Sequence, residues 1–337
     1  MKWILADWGE NKRHIFDAVS SSLRAYGHDC FSVPRNDMAR RSELLEAISG
    51  GEYDALLTWQ RFYPMQRDLI DAVENSAIST VYMDFGFIPH YGTVVFDMQG
   101  ENATSTWPEI WNHAIEKPSQ YFLDEADHLM REETARARTM SIPEVPEIQI
   151  LQFPFVFVPL QRPNDSVVRY DSEVHDFGRF VRRILYLAMG RFFVVIKTHP
   201  LDRDLDLGIP ASILGSHLLL NRDFGAENEP LCDFLLSRAA LVASINSNML
   251  FRALVLGTSA LAAGRGWFSR SKAISETEDF GTLASLRTGL PDLEAQRRYI
   301  AMCLSRQLTF DALSDLEKCA DVFERIGISI RCSEVPT

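Results

Sequence analysis

Short apolar runs alternate with amphipathic stretches through the first half of the chain. Residues 3–6 are apolar enough for a buried strand, and apolar residues at helical spacing follow them and end at Gly27. The alternation continues through further apolar runs at 30–33, 55–58 and 79–83. Strands that alternate strictly with helices predict a parallel, doubly wound sheet.

The second half repeats this pattern after a charged stretch at 107–145, which we interpret as a helical linker. The apolar runs that predict strands in this half are 155–161, 193–197, 217–220, 241–245 and 260–263. The sequence therefore predicts an α/β protein with two Rossmann-like, doubly wound domains, at 1–145 and 146–337. Two such domains facing a cleft form the GT-B-like architecture of nucleotide-sugar transferases, although architecture alone does not establish function.

The charge balance limits the classes of partner. The chain has 337 residues and a formal net charge of −12, which argues against a nucleic-acid partner because a phosphate-tracking surface needs excess lysine and arginine. Five cysteines are scattered without metal-ligand or redox spacing. The first apolar run is too short for a signal peptide or a membrane span. We therefore expect a cytoplasmic protein whose membrane contact, if it has one, is peripheral at the inner face.

The apolar run 193–197 ends in a group of chemically useful side chains. Lys197, Thr198, His199 and Pro200 follow one another there. A buried parallel strand delivers the residues at its carboxyl end to the crevice where open α/β sheets bind ligands. Lys197 and His199 are therefore candidates to bind an anionic group. The alternative is that His199 and Pro200 only end the strand, because proline cannot continue a ladder.

A second candidate for anion binding follows the apolar run 241–245. Ser244, Asn246 and Ser247 bring hydroxyl and amide groups to the start of a predicted helix, where backbone N–H groups and the helix dipole favour a phosphate. An ordinary helix cap is the alternative. Because loops after neighbouring strands converge, Ser247 and Arg265 are predicted to join the lysine–histidine pair around one phosphate.

Two groups of acidic residues have different interpretations. Asp84 stands at the end of a predicted strand beside Gly86, where a catalytic carboxylate would sit, or it simply caps the following turn. Asp202 and Asp204 match the Asp-x-Asp pattern of metal-dependent sugar transferases, but their highly charged segment is interpreted as a solvated loop. No other cluster of ligand side chains indicates a metal site. Catalysis is therefore predicted without a metal or a cofactor.

The order of several short motifs resembles the capsule polysaccharide synthesis family, whose characterised members include retaining β-Kdo transferases that use CMP-Kdo. The matching residues are Asp84-x-Gly86-Phe87, Gly100-x-Asn102-Ala103-x-Ser105, Leu160-Gln161-x-Pro163-x-Asp165-Ser166, Lys197-x-His199-Pro200, and Ser247 followed by Ala253-Leu254-x-x-Gly257 and a glycine-rich loop. The ordered set carries the resemblance, rather than any single motif. Two positions depart from the family: Asp84 and Arg252 each stand where it commonly has glutamate.

The resemblance implies that Asp165 is the nucleophile of a retaining transfer and that His199 and the serines near Ser247 hold the CMP phosphate. Retention through two inversions needs a carboxylate that can form a glycosyl-enzyme intermediate. The phosphate leaving group needs charge stabilisation from Lys197 and His199 more than proton donation. A second carboxylate must accept the proton of the acceptor hydroxyl, and Asp84 is the candidate general base.

The remaining candidates divide between donor and acceptor. Arg265 is the candidate cation for the carboxylate of Kdo. The other predicted donor-binding residues are Gln161, Ser166, Ser244 and Asn246. The predicted acceptor or cleft residues are Gly86, Asn102 and Ser105. For Asp165 the alternative is an aspartate that only stabilises the turn after Pro163 and Asn164.

The leading hypothesis is a glycosyltransferase that moves Kdo, or a related acidic sugar, from a CMP donor to a glycolipid or polysaccharide acceptor. A UDP-linked sugar or CMP-sialic acid would fit the same fold. The alternative from another class is a non-catalytic subunit of a polysaccharide assembly or export system. Arg252 and the shorter Asp84 favour this alternative, whereas Asp165, His199 and Ser247 favour an enzyme.

Overall fold

The structure is a computed structural model that describes residues 1–6, 12–33, 38–61, 67–113, 117–141, 144–209, 216–277, 286 and 292–331. The described strands are β1 (Lys2–Ala6), β2 (Asp29–Val33), β3 (Ala55–Trp59), β4 (Ser79–Phe85), β5 (Thr93–Asp97), β6 (Phe155–Pro159), β7 (Phe193–Lys197), β8 (His217–Leu220), β9 (Leu241–Ser244), β10 (Ala260–Ala262), β11 (Ser275–Glu276) and β12 (Gln307–Thr309).

The described α-helices are α1 (Arg13–Ala25), α2 (Met38–Ser49), α3 (Arg67–Glu74), α4 (Trp107–His113), α5 (Gln120–Thr139), α6 (Ser166–Asp171), α7 (Phe177–Ala188), α8 (Asn228–Arg238), α9 (Met249–Val255), α10 (Leu293–Arg306) and α11 (Leu316–Arg325). In the described part of the chain, no helix is both long and apolar enough to cross a membrane.

The chain forms two compact units. The N-terminal unit contains Met1–Thr106 together with Cys303–Thr337, and the C-terminal unit is Trp107–Met302. Each unit contains one sheet with helices packed against it. The predicted pair of α/β domains is therefore confirmed.

The sheet of the N-terminal unit has the order β12-β5-β4-β3-β1-β2. Strands β1 to β4 are parallel, as predicted, whereas β5 runs antiparallel to β4 and β12 antiparallel to β5. Alternate side chains of β1 point to opposite faces of this sheet. Trp3 and Leu5 pack with α1 and α11, and Ile4 and Ala6 pack with apolar residues of α2 and α3. Both faces are covered, which explains why β1 reads as a continuous apolar run.

The sheet of the C-terminal unit is parallel throughout and has the order β11-β10-β9-β6-β7-β8. Counted from β6, this is the order 3-2-1-4-5-6 of the Rossmann fold, with the strand order reversing between β6 and β9. A crevice at the carboxyl ends of these two strands is the place where open α/β sheets bind ligands. The fold thus indicates a binding site after β6 and β9.

The structure divides the chain differently from the predicted boundary at residue 145. Helices α4 and α5 belong to the C-terminal unit, because α5 packs on α8 and α9 and Arg136 pairs with the buried Asp233 at 2.9 Å. The last residues return to the N-terminal unit, where β12 pairs with β5. Helix α7 begins after Asp176, whose side chain accepts a capping hydrogen bond from the Arg179 N–H at 2.8 Å.

Removal of the Phe323 ring tests the return of the chain end to the N-terminal unit. Phe323 is fully buried in α11, and its ring centroid lies 5.6 Å from that of Trp3 and 5.3 Å from that of Phe96. We expect Phe323→Ala to lower the free energy of unfolding by about 3–5 kcal/mol, measured by urea denaturation. The exposed Lys318 of the same helix provides the control, since Lys318→Ala should change stability by less than about 0.5 kcal/mol. Equal denaturation midpoints for the two variants would contradict this packing.

Candidate functional site

A hydrogen-bonded scaffold ties together the loops that follow β6 and β9. The Asn246 N–H donates to Gln161 Oε1 at 3.0 Å, and the Ser244 hydroxyl donates to the Pro159 carbonyl at 2.8 Å. The Asn246 side-chain amide donates to the carbonyls of Val167 at 2.8 Å and Arg265 at 3.2 Å. One asparagine therefore links the loop after β6, the start of α6 and the loop after β10.

Four of the predicted donor-binding residues meet in this scaffold, with different degrees of exposure: Gln161, Ser244, Asn246 and, through its carbonyl, Arg265. Ser244 and Asn246 are buried, at 1% and 6% exposure, and Gln161 at 9%. Ser244 uses its hydroxyl between two strands, so the structure assigns it to the scaffold rather than to direct contact with a donor. Arg265 is exposed, and its guanidinium has no ion-pair partner among the described residues. Ser247 is half-buried and accepts the Met249 N–H at 3.2 Å.

Asp165 stands beside this scaffold as the residue before the first turn of α6. Its backbone is extended, in the N-cap position, yet its side chain forms no capping hydrogen bond of good geometry. Burial raises the pKa of the half-buried Asp165 carboxyl, and the nearby N–H of Val167 and the charges of His199 and Arg162 act in the opposite direction. The carboxyl therefore lies near the N–H groups of its own first turn as well as near His199 and Arg162.

His199 lies close enough to Asp165 for each group to influence the pKa of the other. Its Nδ1 accepts the Leu201 N–H at 3.1 Å, so in the neutral ring the proton is on Nε2. Burial lowers the pKa of the His199 imidazole, and the Arg162 charge lowers it further. The structure therefore brings together the predicted carboxylate and imidazole, with Nε2–H as the group that can donate to a ligand.

Lys197 is buried, and its ammonium lies 5.6 Å from the centroid of the Phe224 ring. Burial lowers the pKa of Lys197, while Cys232 and Asp223 raise it. Its charge still affects His199, but its own neighbours lie in α8 and in the loop after β8. Lys197 thus supplies positive potential near the imidazole from a separate pocket of side chains.

Two of the three charges in the Asp-x-Asp segment form ion pairs, and the third is exposed to solvent. Asp202 pairs with Arg162 at 2.9 Å, Arg203 pairs with Asp223 at 2.8 Å, and Asp204 is exposed. The first pair holds Arg162 near Asp165 and His199, a contribution that the sequence did not reveal. Among the described ranges, no three or more His, Cys, Asp or Glu side chains are arranged to hold a metal ion.

The N-terminal unit places Asp84 in a second cluster, at the carboxyl end of β4. Asp84 Oδ1 accepts hydrogen bonds from Gln60 Nε2 at 3.0 Å and from the Phe85 N–H at 2.8 Å. Burial raises the pKa of the Asp84 carboxyl, and the charges of His90 and Lys12 lower it. Oδ2 has no hydrogen bond within the described residues, so one oxygen is held and the other is available as a base.

Lys12, Gln60 and His90 were not predicted as site residues. The Lys12 ammonium lies 3.7 Å from the centroid of the Trp59 ring, and burial lowers its pKa to about 8, against the opposing effect of Asp84. His90 Nδ1–H donates to the Gly86 carbonyl at 2.6 Å. Lys12 and Gln60 follow β1 and β3, whose carboxyl ends meet beside β4, and this order of strands is the signal that could have identified them.

The three predicted acceptor or cleft residues shape the backbone. A Cβ on Gly86 would lie 2.3 Å from Thr93 Oγ1, so only glycine allows this close approach of β4 and β5. Asn102 has a positive φ of 49°, and its carbonyl accepts the Ser105 hydroxyl at 2.5 Å. Asn102 and Ser105 therefore hold the turn after β5.

Arg252, the second departure from the family pattern, belongs to a network of ion pairs. It pairs with the buried Asp233 and, at 3.7 Å, with Glu229. Asp233 also pairs with Arg136, so α5, α8 and α9 share one buried carboxylate. The arginine at this position has a structural role within the C-terminal unit.

Comparison with known proteins agrees with this architecture. Residues 104–301 match the family described as capsule polysaccharide biosynthesis protein. Protein FixF of Sinorhizobium fredii is 28% identical over 263 residues, which are 76% of this chain and 61% of that protein. The chain thus spans less than two thirds of the length of this relative.

Two solved structures from Thermosulfurimonas dismutans KpsC share the fold. One, described as a beta Kdo 2,7 transferase, is 14% identical, with 94% of this chain and 100% of that chain covered and a TM-score of 0.60. The other, described as a beta Kdo 2,4 transferase, is 12% identical, with coverage of 93% and 97% and a TM-score of 0.57.

Two Rossmann-like domains of this kind define the GT-B class of fold, which confirms the predicted fold class. The family match covers more than half of the chain. The protein therefore belongs to the capsule polysaccharide biosynthesis protein family, as the ordered motifs indicated.

The half-buried Asp84 carboxyl is expected to cost stability. Its raised pKa means that the folded protein takes up a proton at a higher pH than the unfolded chain, so this cost grows as the pH rises. An asparagine at this position would keep an oxygen for the bonds from Gln60 and Phe85 without the charge. We expect Asp84→Asn to raise the melting temperature by roughly 2–4 °C at about pH 8 and by less at about pH 4. The exposed Asp29, changed to asparagine, is the control; a lower melting temperature for Asp84→Asn at about pH 8 would show that its ion pairing outweighs the cost of burial.

Proposed function

We propose that the protein is a retaining glycosyltransferase of capsule or surface polysaccharide synthesis. The proposed donor is CMP-activated Kdo or a related acidic sugar, and the proposed acceptor is a glycolipid or a polysaccharide. Membership of the capsule family supports the pathway, and the fold shared with the two KpsC structures supports transfer chemistry. The single observation that carries the proposal is the half-buried Asp165 carboxyl beside His199 at the switch point of a Rossmann sheet.

The first step of the proposed reaction uses Asp165 as nucleophile. A carboxylate oxygen attacks the anomeric carbon, the bond from that carbon to the phosphate oxygen breaks, and CMP leaves with the electron pair. The neighbouring Arg162 charge favours the ionised form of Asp165. His199 Nε2–H, the backbone near Ser247, and Arg265 are the proposed donors to the phosphate and to the carboxylate of the sugar.

The second step transfers the sugar from Asp165 to the acceptor. A hydroxyl of the acceptor attacks the anomeric carbon from the opposite face and releases the Asp165 carboxylate, which gives net retention. Asp84 is the proposed general base of the reaction, because Oδ2 has no hydrogen bond within the described residues while Oδ1 is held by Gln60 and Phe85. Its raised pKa suits a group that must accept a proton.

A non-catalytic role in polysaccharide assembly is the second candidate. It rests on the departures at Asp84 and Arg252, each of which stands where the family commonly has glutamate. Such a protein would bind the nucleotide without forming a sugar adduct. Trapping the adduct therefore distinguishes the two candidates directly.

A covalent adduct on Asp165 is the expected outcome of incubation with CMP-Kdo in the absence of acceptor. Intact-protein mass spectrometry should show the added mass of one Kdo, and peptide mapping should locate it at Asp165. In Asp165→Ala the adduct should disappear, and CMP release should fall by a factor on the order of 10³ or more. The matched control is Asp204→Asn, an exposed aspartate of the same unit that should leave adduct and rate unchanged. CMP binding without adduct or release in the wild-type protein would refute the enzyme and leave the assembly role.

His199 is expected to bind the phosphate as a neutral donor. Because burial lowers its pKa and Nδ1 already accepts the Leu201 N–H, the ring should protonate only at a pH below its ordinary range. We therefore expect the Kd for CMP to change little between about pH 7 and pH 8, and to decrease only on further acidification. His199→Ala should weaken CMP binding roughly tenfold, measured by calorimetry, whereas His199→Gln keeps a donor and should lose less. A Kd that rises steeply between about pH 7 and pH 8 would indicate a charged imidazole instead.

A further inference from the structure

The end of the C-terminal sheet at which its strands begin, opposite their carboxyl ends, differs in charge from the rest of the chain. The connections that lead into the amino ends of the central strands β6, β7, β9 and β10 contain no aspartate or glutamate, although the net charge of the chain is −12. These connections are residues 151–154, 189–192, 239–240 and 256–259. The loops at the carboxyl ends of the strands carry carboxylates, among them Asp165, Asp202 and Asp223.

Backbone hydrogen bonds place these connections side by side. The Phe193 N–H donates to the Pro154 carbonyl at 3.1 Å, and the Ala240 N–H donates to the Phe155 carbonyl at 2.8 Å. The starts of β7 and β9 therefore flank the start of β6. Side chains that immediately precede these strands share one end of the sheet.

Large apolar side chains project from this end. Phe153 is 61% exposed before β6, Met189 is 58% exposed before β7, and Tyr186 is 66% exposed in the last turn of α7. Several exposed side chains of this size at one end of a sheet mark a contact surface more often than isolated ones do. They lie at the ends of helices and strands.

Cations accompany these apolar side chains. Arg191 is exposed two residues before β7, and Arg238 is exposed at the end of α8, shortly before β9. The Arg183 guanidinium lies 5.6 Å from the centroid of the Tyr186 ring. Helix α7 contains arginines and no acidic residue. Aromatic and methionine side chains that protrude among arginines suit the boundary between lipid headgroups and acyl chains.

We propose that this surface, formed by Phe153, Tyr186, Met189, Arg191 and Arg238 and called the basic edge, binds a membrane that contains anionic lipids. The arginines attract lipid phosphates, and the absence of carboxylates from the connections removes the repulsion that the chain's net charge would otherwise impose. The apolar tips then enter the headgroup region. An acidic protein groove would need a complementary shape, whereas a bilayer accepts separate protruding side chains. The inference goes beyond the proposed function, because it does not depend on which sugar is transferred.

Vesicle sedimentation with the full chain tests the basic edge. We expect the protein to bind vesicles of phosphatidylcholine with about 30% phosphatidylglycerol, to bind pure phosphatidylcholine vesicles much less, and to dissociate as salt is raised. The double variant Arg191→Glu/Arg238→Glu should lower the partition coefficient for anionic vesicles by about tenfold or more. Met189→Ser should also lower it, since it removes an apolar contact without changing charge.

The matched control is Arg131→Glu/Arg298→Glu, which makes the same change in net charge at exposed arginines elsewhere in the same unit. This control should retain more than half of the wild-type binding. Equal loss in both double variants would overturn the proposal, because binding would then depend on net charge alone. So would equal binding to neutral and anionic vesicles, or a wild-type dimer in light scattering that only the edge variant disrupts.

Two further measurements separate this proposal from folding and from catalysis. Melting temperatures of the two double variants should agree; if the edge variant does not fold, Met189→Ser becomes the deciding variant. CMP release from the water-soluble donor should be the same in the edge variant and the wild type. Lost vesicle binding with intact CMP release supports the basic edge, and intact vesicle binding without CMP release defeats only the proposed function.

Discussion

The candidate donor site depends on the hydrogen bonds of Asn246. This one residue bonds the Gln161 side chain through its backbone and bonds the Val167 and Arg265 carbonyls through its amide. In a Rossmann sheet the strands β6 and β9 diverge at the switch point, because their connecting helices lie on opposite faces. Asn246 holds the loops across that divergence, and Asp165 and Arg265 take their places from the loops that it holds. Both bonds of the amide nitrogen support these loops, because breaking either would leave another buried polar group unpaired; the amide oxygen Oδ1 is buried and has no partner among the described residues.

Charged groups in both domains are held partly out of water by apolar neighbours. Asp165 and Asp84 both have a pKa raised by burial, and the nearby charges of Arg162 and Lys12, respectively, move it back toward the ionised form. Lys12 is enclosed by Trp59 and Phe85 and opposed in charge by Asp84. Burial makes a carboxylate a stronger base and nucleophile, and the neighbouring cation keeps it ionised. This combination is costly for stability, which is why it points to function.

The buried charge of Asp233 has a purely structural explanation. Asp233 lies between Arg136 and Arg252 and joins three helices of the C-terminal unit. The Arg162–Asp202 pair has both a structural role and a role at the candidate site, because it is a surface ion pair that also sets the charge beside His199. The contrast shows why a departure from a family motif, such as Arg252, is not by itself a sign of lost activity. What the side chain is bonded to decides its meaning.

The sequence by itself determined the two α/β domains, the strands that bear the candidate residues, and the family. These follow from local periodicity and from ordered motifs, which do not depend on distant contacts. Only the tertiary structure decided that α5 belongs with the C-terminal unit, that β12 and α11 return to the first sheet, and that Lys12, Gln60 and His90 surround Asp84. It also decided that Ser244 is part of the scaffold and that Asp165 lies near His199 and Arg162. Strand order and side-chain partners are set by contacts between residues far apart in the chain, and no local pattern records them.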